Sequence, residues 1–165
     1  EHSTVWTQEG ININSNEAIV VYQQQEDHIS RNIVKGPGIY MPKTNEWIHE
    51  FSWHGASAKD PDIKVPNALK FTKLRLMAGQ MYYNIPSVRT KDDAVVTAKL
   101  MIFYKIVDVE KLLDSSHDPM ADFINGATAD VIEFTSSLLF SEFKAQTEDL
   151  NKIETYKQLT KRADG

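Results

Sequence analysis

Between Val95 and Ile106 the chain alternates without a slip. Val96, Ala98, Leu100, Ile102, Tyr104 and Ile106 fall on one side, and Val95, Thr97, Lys99, Met101, Phe103 and Lys105 on the other. Successive side chains of a strand point to opposite faces, so the segment reads as a strand with one apolar face and one partly wet face. Met81 to Ile85 is a second apolar run, and the polar stretch Thr90-Lys91-Asp92-Asp93-Ala94 separates the two. The pattern predicts an antiparallel hairpin. A two-stranded ribbon is not stable alone, so its apolar face needs a cover.

The cover comes next in the chain. Asp118-Pro119 combines a side-chain acceptor for free amides with a ring that presets the first helical φ, which predicts a helix start. From there Met120, Phe123, Ile124, Ala127, Val131, Phe134 and Leu138 fall on one stripe, with Asp122, Asn125, Ala129, Glu133 and Ser136 opposite. Gly126 at the stripe's edge costs about 1 kcal/mol of helix propensity and either permits a close approach or is simply tolerated. After Leu139-Phe140 a short helix restarts at Ser141 and runs through Phe143. Residues 148–162 are charged and predicted helical, and Gly165 reads as a helix stop.

The first half is predicted to be mostly strand. Residues 1–16 are polar and Asn-rich, and read as an N-terminal arm or short edge strand; residues 17–165 are taken as a single domain. Ala18-Ile19-Val20-Val21-Tyr22 is a strand of mainly β-branched residues. Lys35-Gly36-Pro37-Gly38 is a turn, and Ile39-Tyr40-Met41 a brief strand. Glu46 to His54 alternates, placing Trp47, His49, Phe51 and Trp53 on one face. Gly55 to Pro66 is a loop, and Ala68 to Met77 another strand.

Little in the chain suggests chemistry. It has no cysteine, which excludes thiol catalysis, disulfides and thiolate metal sites. His49 and His54 are five apart on a strand, so their rings point to opposite faces rather than to one ion. Asp92-Asp93 and the Asp60/Asp62 pair lie in turns, where Asp caps backbone amides, and lack the repeat of a calcium loop. Gly36-Pro37-Gly38 loses an amide to Pro and precedes no helix, so it is no phosphate loop. We therefore expect no enzyme, no cofactor and no metal. The net charge of −5, from 18 basic and 23 acidic residues, argues against nucleic acid as a partner. No apolar run approaches the roughly 18 residues of a membrane span. The lack of cysteine and of glycosylation sequons fits an intracellular protein, in the cytoplasm or on the cytoplasmic face of a membrane. The start at Glu1 suggests an excerpt of a longer chain.

Two motifs carry a family likeness. Val88-Arg89-Thr90-Lys91-Asp92-Asp93-Ala94-Val95-Val96-Thr97 is followed by Tyr104-Lys105-Ile106-Val107-Asp108-Val109-Glu110-Lys111. Together with the Asp118-Pro119 helix start and Leu139-Phe140-Ser141-Glu142-Phe143, they resemble the stomatin/prohibitin/flotillin (SPFH, band 7) superfamily. The element order before the hairpin is also similar to the band 7-like shoulder domain of the major vault protein. The resemblance implies an α/β (α+β) domain with a twisted, mostly antiparallel sheet and helices on one face. It further implies a non-enzymatic scaffold that packs beside copies of itself in a ring, a cage or a membrane-associated oligomer. These residues hold neither the family's hydrophobic anchor nor its coiled coil, so membrane association would come through regions outside them. The expected contact surfaces are the hairpin turn, with Thr90, Lys91, Asp92 and Asp93, and the last helix, with Glu148, Lys152 and Lys157. The alternative is a peptide- or lipid-binding module using the aromatic face of Trp47, Phe51 and Trp53.

Overall fold

The computed structural model describes residues 9–164. Strand β2 (Glu17–Gln24) lies at the centre of the first half, because Ala18 to Val21 are all buried. Antiparallel to it run β3 (Ile29–Lys35) along one edge, and β5 (Glu46–Ile48) and the short β8 (Leu74–Arg75) along the other. Strand β1 (Ile11–Ile13) pairs with β4 (Gly38–Tyr40). Its Ile13 is buried with Ile19 and Val21 in a small core of its own.

Two hairpins complete the strands. In the first, β6 (Phe51–Ala56) pairs with β7 (Lys64–Phe71). In the second, β9 (Gly79–Arg89) pairs with β10 (Val95–Tyr104) in the predicted antiparallel sense, with a bulge between Val96 and Ala98. Helices α1 (Val109–Ser115), α2 (Pro119–Ser136), α3 (Phe140–Ala145) and α4 (Lys157–Asp164) follow. The architecture is the expected α/β one, with antiparallel sheets and the helices gathered after them.

The alternation in β10 survives folding. Ala98 is buried and Val96, Leu100, Ile102 and Tyr104 are half-buried, while their neighbours face out. The inner face meets α2, where Met120, Ala127 and Val131 are buried and Phe123 and Ile124 pack beside them. Asp118 caps α2, its carboxylate accepting the Ala121 amide at 3.1 Å. The same carboxylate takes the His54 backbone amide at 2.9 Å and lies 2.5 Å from its ring Nδ1, so one side chain starts the helix and ties it to β6. Arg31 on β3 bonds Glu110 and, at 2.8 Å, Asp114, fastening α1 to the first sheet; the Asp114 bond raises its pKa.

Three expected elements differ in detail, and two elements, β3 and α1, lie where none is expected. The strand over 46–54 is two strands, because His49 still donates its amide to Val20 of β2 at 2.8 Å while Phe51 already pairs with Phe71 of β7. The strand over 68–77 divides in the same way: β7 starts earlier, at Lys64, and Leu74–Arg75 cross to β2. The helix over 148–162 is shorter than expected. Two 3₁₀ turns, Thr147–Asn151 and Ile153–Thr155, precede α4. There Thr155 donates its hydroxyl to the Asp149 carbonyl and Tyr156 to the Leu150 carbonyl, both at 2.6 Å. Such side-chain bonds to nearby backbone compete with a regular helix. Helix α1 has no counterpart among the expected elements; its cap is Asp108, which accepts the Lys111 amide at 3.0 Å.

Candidate assembly surfaces

The hairpin turn between β9 and β10 is built from the inside. Thr90 is only 4% exposed. Its hydroxyl donates to Asp92 at 2.7 Å and accepts the Ala94 amide at 3.0 Å. The same Asp92 oxygen, Oδ1, also accepts the Phe140 amide from across the fold at 2.9 Å, while the Lys91 amide donates to the Leu138 carbonyl at 2.8 Å. The Thr90 hydroxyl first, and the Phe140 amide second, hold the Asp92 carboxyl below its ordinary pKa. Thr90 and Asp92 thus dock the turn onto the α2–α3 junction. Lys91 and Asp93 point to solvent, and Arg89 pairs with Asp93 at 3.7 Å.

This division of labour makes a prediction. Asp92→Ala should speed amide exchange at Phe140 and Lys91, while the global unfolding midpoint moves little. Unchanged exchange at both amides would show that the turn is held by other contacts. The pH dependence has a definite sign. The native carboxyl titrates below the unfolded one, so its contribution is present above about pH 3.8 and is lost as pH falls through the native value.

The second expected surface lies on the segment from the 3₁₀ turns into α4. Glu148, Lys152 and Lys157 are all exposed, and Lys152 bonds Asp149 at 2.6 Å, which raises its pKa. Opposite them, Tyr156 and Leu159 are buried against α2. Asp130, an acidic residue inside the core and only 2% exposed, faces the start of α4 from α2. Its two oxygens accept the Gln158 and Leu159 amides, each at 2.9 Å. A side chain far away in sequence therefore supplies the N-terminal cap of α4. Gly126 resolves as a close approach: a Cβ there would stand 2.9 Å from the Leu159 Cα.

The three aromatics do not form one open face. Phe51 and Trp53 are 3% and 4% exposed and lie in the main core, where Phe51 stacks on Phe71 at 5.2 Å between ring centres and Trp53 meets Phe71 edge-on at 4.8 Å. Of the three, Trp47 alone is open, 43% exposed and stacked on Tyr22. The break at His49-Glu50 separates it from the other two. His49 itself is half-buried, and burial pushes its pKa down. Asp60 uses its side chain to accept the Asp62 amide at 3.0 Å, the turn-capping role expected. Among the described residues, no three His, Asp or Glu side chains converge as a metal site.

One cleft of about 870 Å³ opens between β10, α1, the start of α2 and α4. Leu100, Ile102, Phe123, Ile153 and Tyr156 are among its walls. Arg162 and Asp122 stand across it, 3.6 Å apart.

A model of the SPFH domain / band 7 family matches residues 11–164, from β1 to the end of α4. The chain belongs to that family. No curated protein matches it in sequence comparison. SPFH domains are scaffold and membrane-associated domains, and the family is generally non-enzymatic. Within this SPFH domain, no helix of the described residues is long and apolar enough to cross a membrane. Sequence reasoning missed Asp130 and the Asp118–His54 tie because both act between segments distant in the chain. The only signal for Asp130 is an acidic residue next to the apolar stripe of an amphipathic helix.

Proposed function

We infer that this SPFH domain is a non-enzymatic structural scaffold that packs laterally against copies of itself. The observation that carries the reading is the rigid mounting of two exposed, mixed-charge surfaces. Lys91 and Asp93 ride on a turn pinned by Thr90 and Asp92, and Glu148, Lys152 and Lys157 ride on a segment pinned by Tyr156 and Asp130. Contacts between unlike surfaces of successive copies propagate into rings or filaments rather than closed pairs. Preordered surfaces lower the entropy lost on association. Such an assembly would sit inside the cell, with any anchor supplied by regions beyond these residues.

Light scattering on the full-length protein tests this. Assemblies larger than a dimer are expected, and the double charge reversal Lys91→Glu with Lys152→Glu should shift them towards monomer. A strictly monomeric species at high micromolar concentration would overturn the reading. The binding-module alternative would have only Trp47 of its three aromatics to present.

A further inference from the structure

The outer face of the β9–β10 hairpin carries apolar side chains that the fold does not cover. Phe103 is 70% exposed, Tyr82 59% and Met101 46%. They are neighbours, because Met101 lies directly across from Tyr82 in the ladder and Phe103 follows two residues on, on the same face. Val107, beyond the strand, is also open. Large aromatic and sulfur side chains are costly to leave in water, and contiguous apolar patches mark interaction sites.

The charge on the two strands is one-sided, the hairpin's acids being Asp92 and Asp93 in its turn. Neither Gly79–Arg89 nor Val95–Val107 contains an Asp or Glu, although the chain as a whole has a net charge of −5. Lys99 lies on the same face as Met101 and Phe103, and Lys105, also exposed, follows just past the end of β10, so the two lysines bracket the pair in the chain. The patch is thus an aromatic-apolar centre between two cations, on a two-stranded surface whose β10 side also borders the cleft.

We propose that this face rests on an anionic lipid bilayer, with Phe103, Met101 and Tyr82 at the headgroup–acyl boundary and Lys99 and Lys105 on acidic headgroups. Long lysine stems lie along apolar surface while their ammonium groups reach polar phosphate, and Tyr suits the interface because one end is apolar and the other wet. Each lysine near an anionic surface contributes about fivefold to partitioning. A second copy docking its own strands here is less well matched. Strands β3 and β7 carry Lys35, Lys64 and Lys70, which would set like charges against Lys99 and Lys105. The proposal does not depend on lateral self-assembly.

The test uses the full chain and sedimentation with phosphatidylcholine vesicles, with and without a minority of phosphatidylserine. Binding is expected only with phosphatidylserine and should fall with added salt. Lys99→Glu with Lys105→Glu should reduce it by more than about 20-fold, and Phe103→Asp should abolish it. The exposed pair Lys70→Glu with Lys73→Glu makes the same charge change elsewhere and should leave most binding intact. Phe103→Trp gives a local readout: its added emission should shift to the blue and be quenched by brominated lipid. Equal losses in the two lysine pairs, indifference to phosphatidylserine, or added emission in Phe103→Trp that brominated lipid leaves unquenched would each overturn the proposal. Thermal unfolding of every variant guards against misfolding. If the Phe103 variants instead change only the size of the lipid-free particles, a second copy occupies the face and the lipid proposal fails. A monomer that still binds phosphatidylserine vesicles would leave this inference standing and remove the lateral scaffold.

Discussion

Phe51→Ala is expected to destabilise the domain by about 3–5 kcal/mol, whereas Trp47→Ala should cost about 1 kcal/mol. The two residues are close in sequence and alike in kind, so the contrast comes from where the chain turns. Phe51 has left β2 and joined β7, and it sits among Phe71, Trp53 and the edge of His49, whose ring centre is 4.6 Å away. Truncation would empty a closely packed site that joins the first sheet to the Trp53 side of the core, and a cavity that cannot collapse adds to the lost transfer energy. Trp47 stacks on Tyr22 at 5.7 Å with its other face in water, so it loses one aromatic contact and little burial. Urea denaturation measures both. A domain of this size is held by roughly 5–15 kcal/mol, so the Phe51 variant should approach the edge of stability. A loss below 1 kcal/mol at Phe51 would mean that the aromatic row is a loosely held surface after all.

The same break shows what could be read from the residues alone. Alternation is local, and it located β10 and, at helical spacing, the stripe of α2, because each buries one face; β2 and β9 were legible as β-branched and apolar runs, and β2 is buried on both sides. The stretch 46–54 also alternates, and Phe51 and Trp53 are inward as that pattern implies. What alternation does not carry is a change of partner, since the period is the same on both sides of His49-Glu50. The helix over 148–162 failed for a related reason. Its charged composition favours a helix, but Tyr156 and Thr155 bond back to backbone carbonyls within reach, and the tertiary anchor decides. At the candidate surfaces the reading by residue type was coarser. Lys91, Asp93, Glu148, Lys152 and Lys157 are exposed, as charged residues in turns usually are. Thr90 and Asp92 look the same in sequence and yet work inward, because their acceptors and donors are at Ala94 and Phe140. The exposed Phe103 and Met101 fall on the wetter side of β10 with their lysine neighbours, but nothing in one chain says how large the uncovered patch would be.

Asp130→Ala should cost about 2–4 kcal/mol and should act first on α4. The carboxylate satisfies two amides at the start of that helix, where four donors lack partners within the helix, and the negative charge faces the positive end of the helix dipole. Loss of a cap alone costs about 1 kcal/mol, and leaving the buried Leu159 amide without an acceptor adds roughly 1–3 kcal/mol. Asp130→Asn offers one oxygen and places an NH₂ against the other amide, so it should recover at most part of the loss. The contact at Gly126 makes α4 sensitive to the same displacement. Gly126→Ala favours α2 by about 1 kcal/mol of propensity. Its methyl meets the Leu159 backbone, which, unlike a flexible side-chain tip, cannot step aside. Overpacking of about 1–3 kcal/mol should outweigh the gain. Amide exchange distinguishes the mechanisms: Gln158 and Leu159 should lose protection in Asp130→Ala before Val131 on α2 does. Since Lys157 and the 3₁₀ turns move with α4, the variant should also weaken lateral association without altering any exposed residue. Full protection at Leu159 in Asp130→Ala would show that packing of Tyr156 and Leu159 alone holds the helix in place.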